Sequence, residues 1–184
     1  MQLNIDGGSN NVSSSGIMLN GSTYYIFDNE HLTKSASWSI ALQYTPFVDP
    51  GSGVPQILTQ PALPSAPSDI KFSIGYFTGG RLNGLNAPGY YAGYYRYGSI
   101  FRAIGPFDLP TGTSSNLVLT DTGLNLTLYL NKTKLGSIRS SGIANTTDIH
   151  LGNSFDGGSD KLIGSIEYLK LYDYALLESE VQNL

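Results

Sequence analysis

The sequence predicts an all-β protein, a β-sandwich of antiparallel sheets ending in a short C-terminal helical turn. Three observations predict it. Apolar residues recur at every second position in short runs, as in Trp38, Ile40, Leu42 and Tyr44, which marks strands with unlike faces. Turn residues punctuate these runs, with 22 Gly and 9 Pro in the chain. Helical spacing is confined to the end, where Leu176, Leu177, Glu180, Val181 and Leu184 repeat. About a dozen short strands on a turn-rich chain make a sandwich rather than a layered α/β fold.

The elements follow in order. Leu3 and Ile5 mark an edge strand before a Gly/Ser/Asn loop. Ile17–Leu19 and Tyr24–Phe27 read as two strands of a hairpin across Asn20-Gly21, because Asn-Gly fits the tightest hairpin turns. Residues 38–45 form a half-buried strand ended by Pro46. Pro55–Gln60 is a short strand, and Pro61–Ser68, with three prolines, an exposed loop. Ile70–Phe77 is the next strand. The Gly- and Tyr-rich segment 78–114 holds two more, at about 90–97 and 99–104. Asn116–Thr120 and Leu124–Leu130 pair across Asp121-Thr122-Gly123. There Leu124, Leu126, Leu128 and Leu130 face the core, and Asn125, Thr127 and Tyr129 face away. Ile149–Leu151 is a strand with His150 outward. In the last strand Ile166, Tyr168 and Lys170 share one face, and Glu167, Leu169 and Leu171 the other.

Composition narrows the function. The chain has 184 residues, enough for one sandwich domain over 1–184, with 78–114 as its elaborated region. It is 13% charged with net charge −4, about half the usual charged share. Its ten basic residues form no run, which argues against nucleic acid. No cysteine is present, so disulfides and thiol chemistry are excluded. No apolar run approaches the ~18 residues of a membrane helix. Met1–Gly8 lacks the basic start and apolar run of a signal peptide. Asn11, Asn20, Asn125, Asn131 and Asn145 open sequons for N-glycosylation, should the chain be secreted.

Several stretches also resemble a family. Gly164-x-Ile166-Glu167-x-Leu169-x-Leu171-Tyr172, then Ala175-Leu176, then Glu180-Val181-x-x-Leu184, resembles the closing strand and tail of laminin-G-like domains, of the concanavalin A-like lectin/glucanase superfamily. The segment across Asn20-Gly21 to Tyr24 is similar to the family's opening. Leu128-Tyr129-Leu130-Asn131-Lys132 resembles its Leu-Tyr-x-Asn-Gly hairpin, with Lys132 where Gly is usual. The resemblance covers about 17–77 and 115–184 and implies a concanavalin A-like jelly roll. It further implies a non-catalytic recognition or adhesion module, with glycan or a cell-surface receptor as partner, on an extracellular or virion surface.

Five tyrosines within eight residues, Tyr90, Tyr91, Tyr94, Tyr95 and Tyr97, flank Arg96. Tyrosine offers an apolar face to a sugar's C–H surface and a hydroxyl to its polar rim. Alternation puts Tyr91, Tyr95 and Tyr97 on one face and Tyr90 and Tyr94 on the other, so part of the cluster serves packing or a subunit contact. Tyr91, Tyr94, Tyr95, Arg96, Tyr97 and Tyr129 are the candidate ligand-binding residues. Trp38 is in phase with Ile40 and Leu42, hence core. Asp156 and Asp160, with Asn153 in the same Gly-containing loop, are candidate oxygen ligands for Ca²⁺; the alternative is a solvated turn, and no other cofactor is implied. Glycosidase chemistry needs paired carboxylates. Within its strand region Glu167 has only Asp173 downstream, and the superfamily's Glu-x-Asp-x-x-Glu run is missing, so no catalytic residue is assigned. The rival reading is structural: a virion, capsid-associated or other surface-assembly subunit that uses the same fold for contacts between subunits.

Overall fold

The protein was examined as a computed structural model, which describes residues 12–13, 16–21, 25–28, 37–51, 53, 55–60, 70–78, 87–96, 99–140, 148–152 and 162–184. The elements are β1 (Val12–Ser13), β2 (Gly16–Asn20), β3 (Tyr25–Asp28), β4 (Trp38–Pro46), β5 (Gln56–Gln60), β6 (Ile70–Phe77), β7 (Gly89–Arg96), β8 (Ser99–Phe107), β9 (Ser115–Asp121), β10 (Asn125–Leu130), β11 (Thr133–Arg139), β12 (Asp148–Leu151), β13 (Ile163–Tyr172) and α1 (Glu178–Val181). The first sheet has seven strands in the order β1-β2-β13-β4-β9-β10-β11, and the second has six, β3-β12-β5-β6-β7-β8. Every pairing is antiparallel. The predicted jelly-roll sandwich is therefore the observed fold, and β7 and β8, from the expected elaboration, supply one flank of the second sheet.

The core lies between the sheets and is built by alternation. Trp38, Ile40, Leu42 and Tyr44 of β4 meet Phe72 and Ile74 of β6 and Tyr90, Ala92 and Tyr94 of β7. Trp38 and Phe72 pack edge to face at 5.3 Å, as aromatic quadrupoles prefer. Gly164 has a steric reason. A Cβ there would come 2.5 Å from the Thr45 carbonyl and 2.7 Å from the Tyr44 ring.

Four expectations are corrected. Asn20-Gly21 does not close a hairpin: β2 pairs with β13, whereas β3 pairs with β12 in the other sheet. Gly21, at φ +77°, instead turns the chain from one sheet to the other and donates to the Leu162 carbonyl at 3.0 Å. The turn chemistry was read correctly and its partner was not, since partners are chosen by long-range burial. Second, β13 breaks its period at a bulge between Ile166 and Tyr168. Ile166 therefore shares the inner face with Leu169 and Leu171, while Tyr168 and Tyr172 face out. Third, Leu124 is 75% exposed, because it lies in the turn before β10.

The fourth correction concerns the outer face of the first sheet. β4 is buried on both faces, not half-buried, and Tyr129 is only 5% exposed. The C-terminal segment is the cause. Leu176 and Val181 pack on Ala41, Val118 and Tyr129, with Leu184 alongside. Ser39 fastens it: its hydroxyl donates to the Tyr174 carbonyl at 3.0 Å and accepts the Leu176 N–H at 2.8 Å. Lys132 Nζ donates to the Gln182 carbonyl at 2.8 Å, and Gln182 Nε2 returns a bond to the Lys132 carbonyl at 2.7 Å. That clamp helps hold Lys132 at φ +70°, a conformation glycine adopts far more readily. Glu180 accepts the Leu177 N–H at 2.7 Å and so caps α1.

Candidate ligand-binding face

The tail covers the middle of the first sheet's outer face, and the candidate residues of β7 belong to the second sheet. The registers assemble the outer face of that second sheet. His150 of β12 pairs with Thr59 of β5, Thr59 with Ser73 of β6, Ser73 with Gly93 of β7, and Gly93 with Ala103 of β8. These five residues form one row across the strands, all small or polar. Their sequence neighbours Ile149, Leu151, Leu58, Phe72, Ile74, Ala92, Tyr94 and Ile104 point inward to the core. On one side the row is bounded by Gln56, Gly75 and Tyr91, which are in register with each other. Beyond the row in the other direction, Lys71 of β6 pairs with Tyr95 of β7.

The dimensions follow from strand geometry. Five adjacent strands give a row about 19 Å long at about 4.8 Å per strand, and Tyr91 to Tyr95 spans about 13 Å of strand. The middle of this row is buried, with Ser73 0% and Thr59 3% exposed, and it is hydrogen-bonded. Ser73 donates to Gln56 Oε1, Gln56 Nε2 to the Tyr76 carbonyl at 3.4 Å, and Thr59 to the Phe72 carbonyl at 3.3 Å. Gln56, Thr59 and Ser73 are buried, whereas His150 and Ala103 at the ends are half-buried. Gly93 is required: a Cβ there would come 2.1 Å from the Arg102 carbonyl and 2.8 Å from Ala103 Cα.

The tyrosine cluster divides as alternation predicts. Tyr90 and Tyr94 enter the core and are no ligand surface. Tyr94 donates to Asp121 Oδ2, which also accepts from Ser140 at 2.8 Å, while Asp121 Oδ1 accepts the Gly123 N–H at 2.7 Å. This buried network ties β7 of one sheet to β9 of the other. Burial, reinforced by Asp121, raises the Tyr94 phenol pKa. Tyr91 is on the outer face but only 3% exposed. Its ring meets Phe77 edge to face at 6.2 Å and its hydroxyl donates to the Ala87 carbonyl at 2.8 Å. It is buried beside the row, not an open platform. Tyr95 and Arg96 lie in β7 opposite Lys71 and Ile70. Tyr97 lies outside the described residues, and Tyr129 is under the tail.

The remaining candidates are placed as follows. Asp156, Asp160 and Asn153 lie outside the described residues, as do Asn11, Asn145 and His31. Among the described residues no three of His, Asp or Glu come together as a metal site. Asn20, Asn125 and Asn131 are exposed. Glu167 is exposed and accepts from the Thr45 and Ser114 hydroxyls, each at 3.1 Å, on the first sheet's outer side. Sequence reasoning missed Gln56, Thr59, Ser73 and Gly93. Their polar alternation with Phe72 and Ile74 is visible in the sequence, but only the pairing registers align them into one row.

A family model described as the concanavalin A-like lectin/glucanases superfamily matches residues 19–182. No curated protein sequence matches the chain. Among solved structures, the chain is similar to domain 4 of AbnA, an extracellular arabinanase of Geobacillus stearothermophilus in complex with arabinotriose. The TM-score is 0.65 at 18% identity, over 91% of this chain and 75% of that one. It is similar to the CBM40 of a Ruminococcus gnavus IT-sialidase bound to α2,3-sialyllactose, with TM-score 0.66 and 15% identity over 91% and 94% of the two chains. It is also similar to the heptameric SAP-like pentraxin of Limulus polyphemus, with TM-score 0.62 and 16% identity over 92% and 82%. At such identities these likenesses are of fold.

Proposed function

We propose, on the premise that this chain belongs to the concanavalin A-like lectin/glucanases superfamily, that it is a non-catalytic recognition module which binds glycan on the outer face of its second sheet. The observation that carries the reading is the row His150–Thr59–Ser73–Gly93–Ala103 between Tyr91 and Tyr95. A sugar chain is held by polar groups and aromatic edges, and the half-buried His150 and Ala103 at the ends of the row support this face as the place for one. The fold likeness to modules solved with arabinotriose and sialyllactose supports glycan as the ligand class. A non-catalytic role is supported by the structural use of two of its carboxylates: Glu167 ties surface hydroxyls together, and Asp121 joins the sheets. We place the module, acting as one domain over 1–184, at an extracellular or virion surface. The exposed Asn20, Asn125 and Asn131 sequons support that placement.

A second reading, a subunit of a surface assembly, is favoured by exposed apolar side chains at one end of the first sheet. Met18, Ile163, Phe47 and Val48 are 37–47% exposed, and Phe47 donates its N–H to the Ile163 carbonyl. One experiment separates the two. A glycan-array screen is run beside a light-scattering mass, for the native chain and for Tyr95→Ala. Selective binding by a monomer, lost in Tyr95→Ala with Tm unchanged, is the expected result. A defined oligomer that binds no glycan overturns the proposal in favour of the assembly subunit.

A further inference from the structure

The ends of the sandwich interior differ in how they treat their phenols. At the Trp38 end, Tyr94 has Asp121 and Ser140 as partners. At the far end of the same strands, Tyr44 of β4 and Tyr90 of β7 enter the space between the sheets from opposite sides. Tyr44 is fully buried and Tyr90 is 4% exposed, yet among the described residues neither hydroxyl has a hydrogen-bond partner. A buried hydroxyl left this way is costly, and native structures rarely tolerate it without a bound molecule or an ordered water. Two such groups, facing each other across one interface, are the more unusual.

A glycine and aromatic rings surround them. Gly164 borders the Tyr44 hydroxyl, and a Cβ at that position would lie 2.8 Å from it. The Tyr90 ring is stacked on Phe107 at 6.0 Å and meets Tyr76 edge to face at 5.4 Å. Tyr76 is half-buried and leads outward to the surface carboxylates of Asp49 and Asp108. Tyr90 is close enough to Tyr44 to raise the Tyr44 phenol pKa further, burial being the larger cause; at Tyr90 burial again leads, followed by Asp49 and Tyr76. The two hydroxyls make no direct bond.

We propose that the Tyr44 and Tyr90 hydroxyls form an interior hydration site, bridged by one ordered water that enters from the rim past Tyr76. Each phenol both donates and accepts, so one water with two phenols satisfies both groups. The Phe107 ring borders the Tyr90 side and the Gly164 backbone the Tyr44 side. The bridge joins the sheets at this end as Asp121 joins them at the other.

The test uses the whole chain and the variants Tyr44→Phe, Tyr90→Phe and their double, which keep the rings and remove only the hydroxyls. Water-proton magnetic relaxation dispersion counts long-lived internal waters, and thermal unfolding gives Tm. The expected result is one long-lived water in the native chain that is absent from each single variant. Each single substitution should also lower Tm by roughly 2–4 °C, with the double falling by less than the sum because one bridge is lost only once. No change in the long-lived water count between the native chain and the variants overturns the proposal. So does a rise in Tm on removing either hydroxyl, the outcome for a dry, unpartnered group.

Discussion

Ser39 is the residue through which the C-terminal segment is fixed, and Ser39→Ala tests whether that segment is part of the fold or merely lies on it. The Ser39 side chain is fully buried and makes two hydrogen bonds, donating to the Tyr174 carbonyl at 3.0 Å and accepting from the Leu176 N–H at 2.8 Å. Alanine removes both and strands a buried amide and a carbonyl. A lost bond costs about 1 kcal/mol and a stranded partner adds to that, so the total is ~2–3 kcal/mol. For a chain of this size one kcal/mol moves Tm by ~2–4 °C, so a drop of roughly 4–12 °C is expected. The cost is cooperative, because Leu176 and Val181 cover Ala41, Val118 and Tyr129 in the middle of the first sheet. Thermal unfolding by circular dichroism gives the shift, and amide exchange at Leu176 gives its location. An unchanged Tm with full protection at Leu176 would refute the reasoning, since the bonds would then be dispensable. Faster exchange at Leu176 without a Tm shift would equally refute it, because the tail would then open independently of the sandwich.

Three other outcomes are expected. Gly164→Ala should cost about 1–3 kcal/mol, as its Cβ would approach the Thr45 carbonyl to 2.5 Å; a native urea midpoint would show that the strand yields freely. Asp121→Ala should cost about 2–4 kcal/mol by leaving Tyr94 and Ser140 without their acceptor, read by urea unfolding beside the milder Asp121→Asn. Stability should also fall in alkali. Burial raises the phenol pKa values of Tyr44, Tyr90 and Tyr94 above the ordinary 10.0, so above pH 10 the unfolded chain ionises first and holds fewer protons than the folded one. The contribution is complete below pH 10 and is lost as pH climbs toward the folded values. Absorbance at 295 nm should show these phenols ionising only with unfolding; ionisation of every tyrosine near pH 10 in the folded chain would contradict their burial.

The sequence by itself determined what depends on neighbours along the chain. Alternation placed the inner residues of β4 and Leu126 and Leu128 of β10, and divided Tyr90 and Tyr94 from Tyr91, because the strand period is fixed by backbone geometry. The Gly164-to-Leu184 stretch carried the fold, since its glycine, its apolar positions and its capping Glu180 each answer a local steric or hydrogen-bonding demand. Tertiary structure alone decided what depends on partners. Asn20-Gly21 looks like a hairpin, yet β2 and β3 join different sheets, and no local signal states which strand offers the better burial. The bulge at Glu167 reversed the faces of half of β13, because one extra residue shifts every side chain beyond it. Tyr129 alternates like an outward residue and is buried because Leu176 and Val181 return from far along the chain to cover it. The row from His150 to Ala103 draws on β12, β5, β6, β7 and β8, segments spread over nearly half the sequence. Each residue in it is unremarkable in its own strand. Only the hydrogen-bonded register, set by burial across the whole sandwich, brings them to one face.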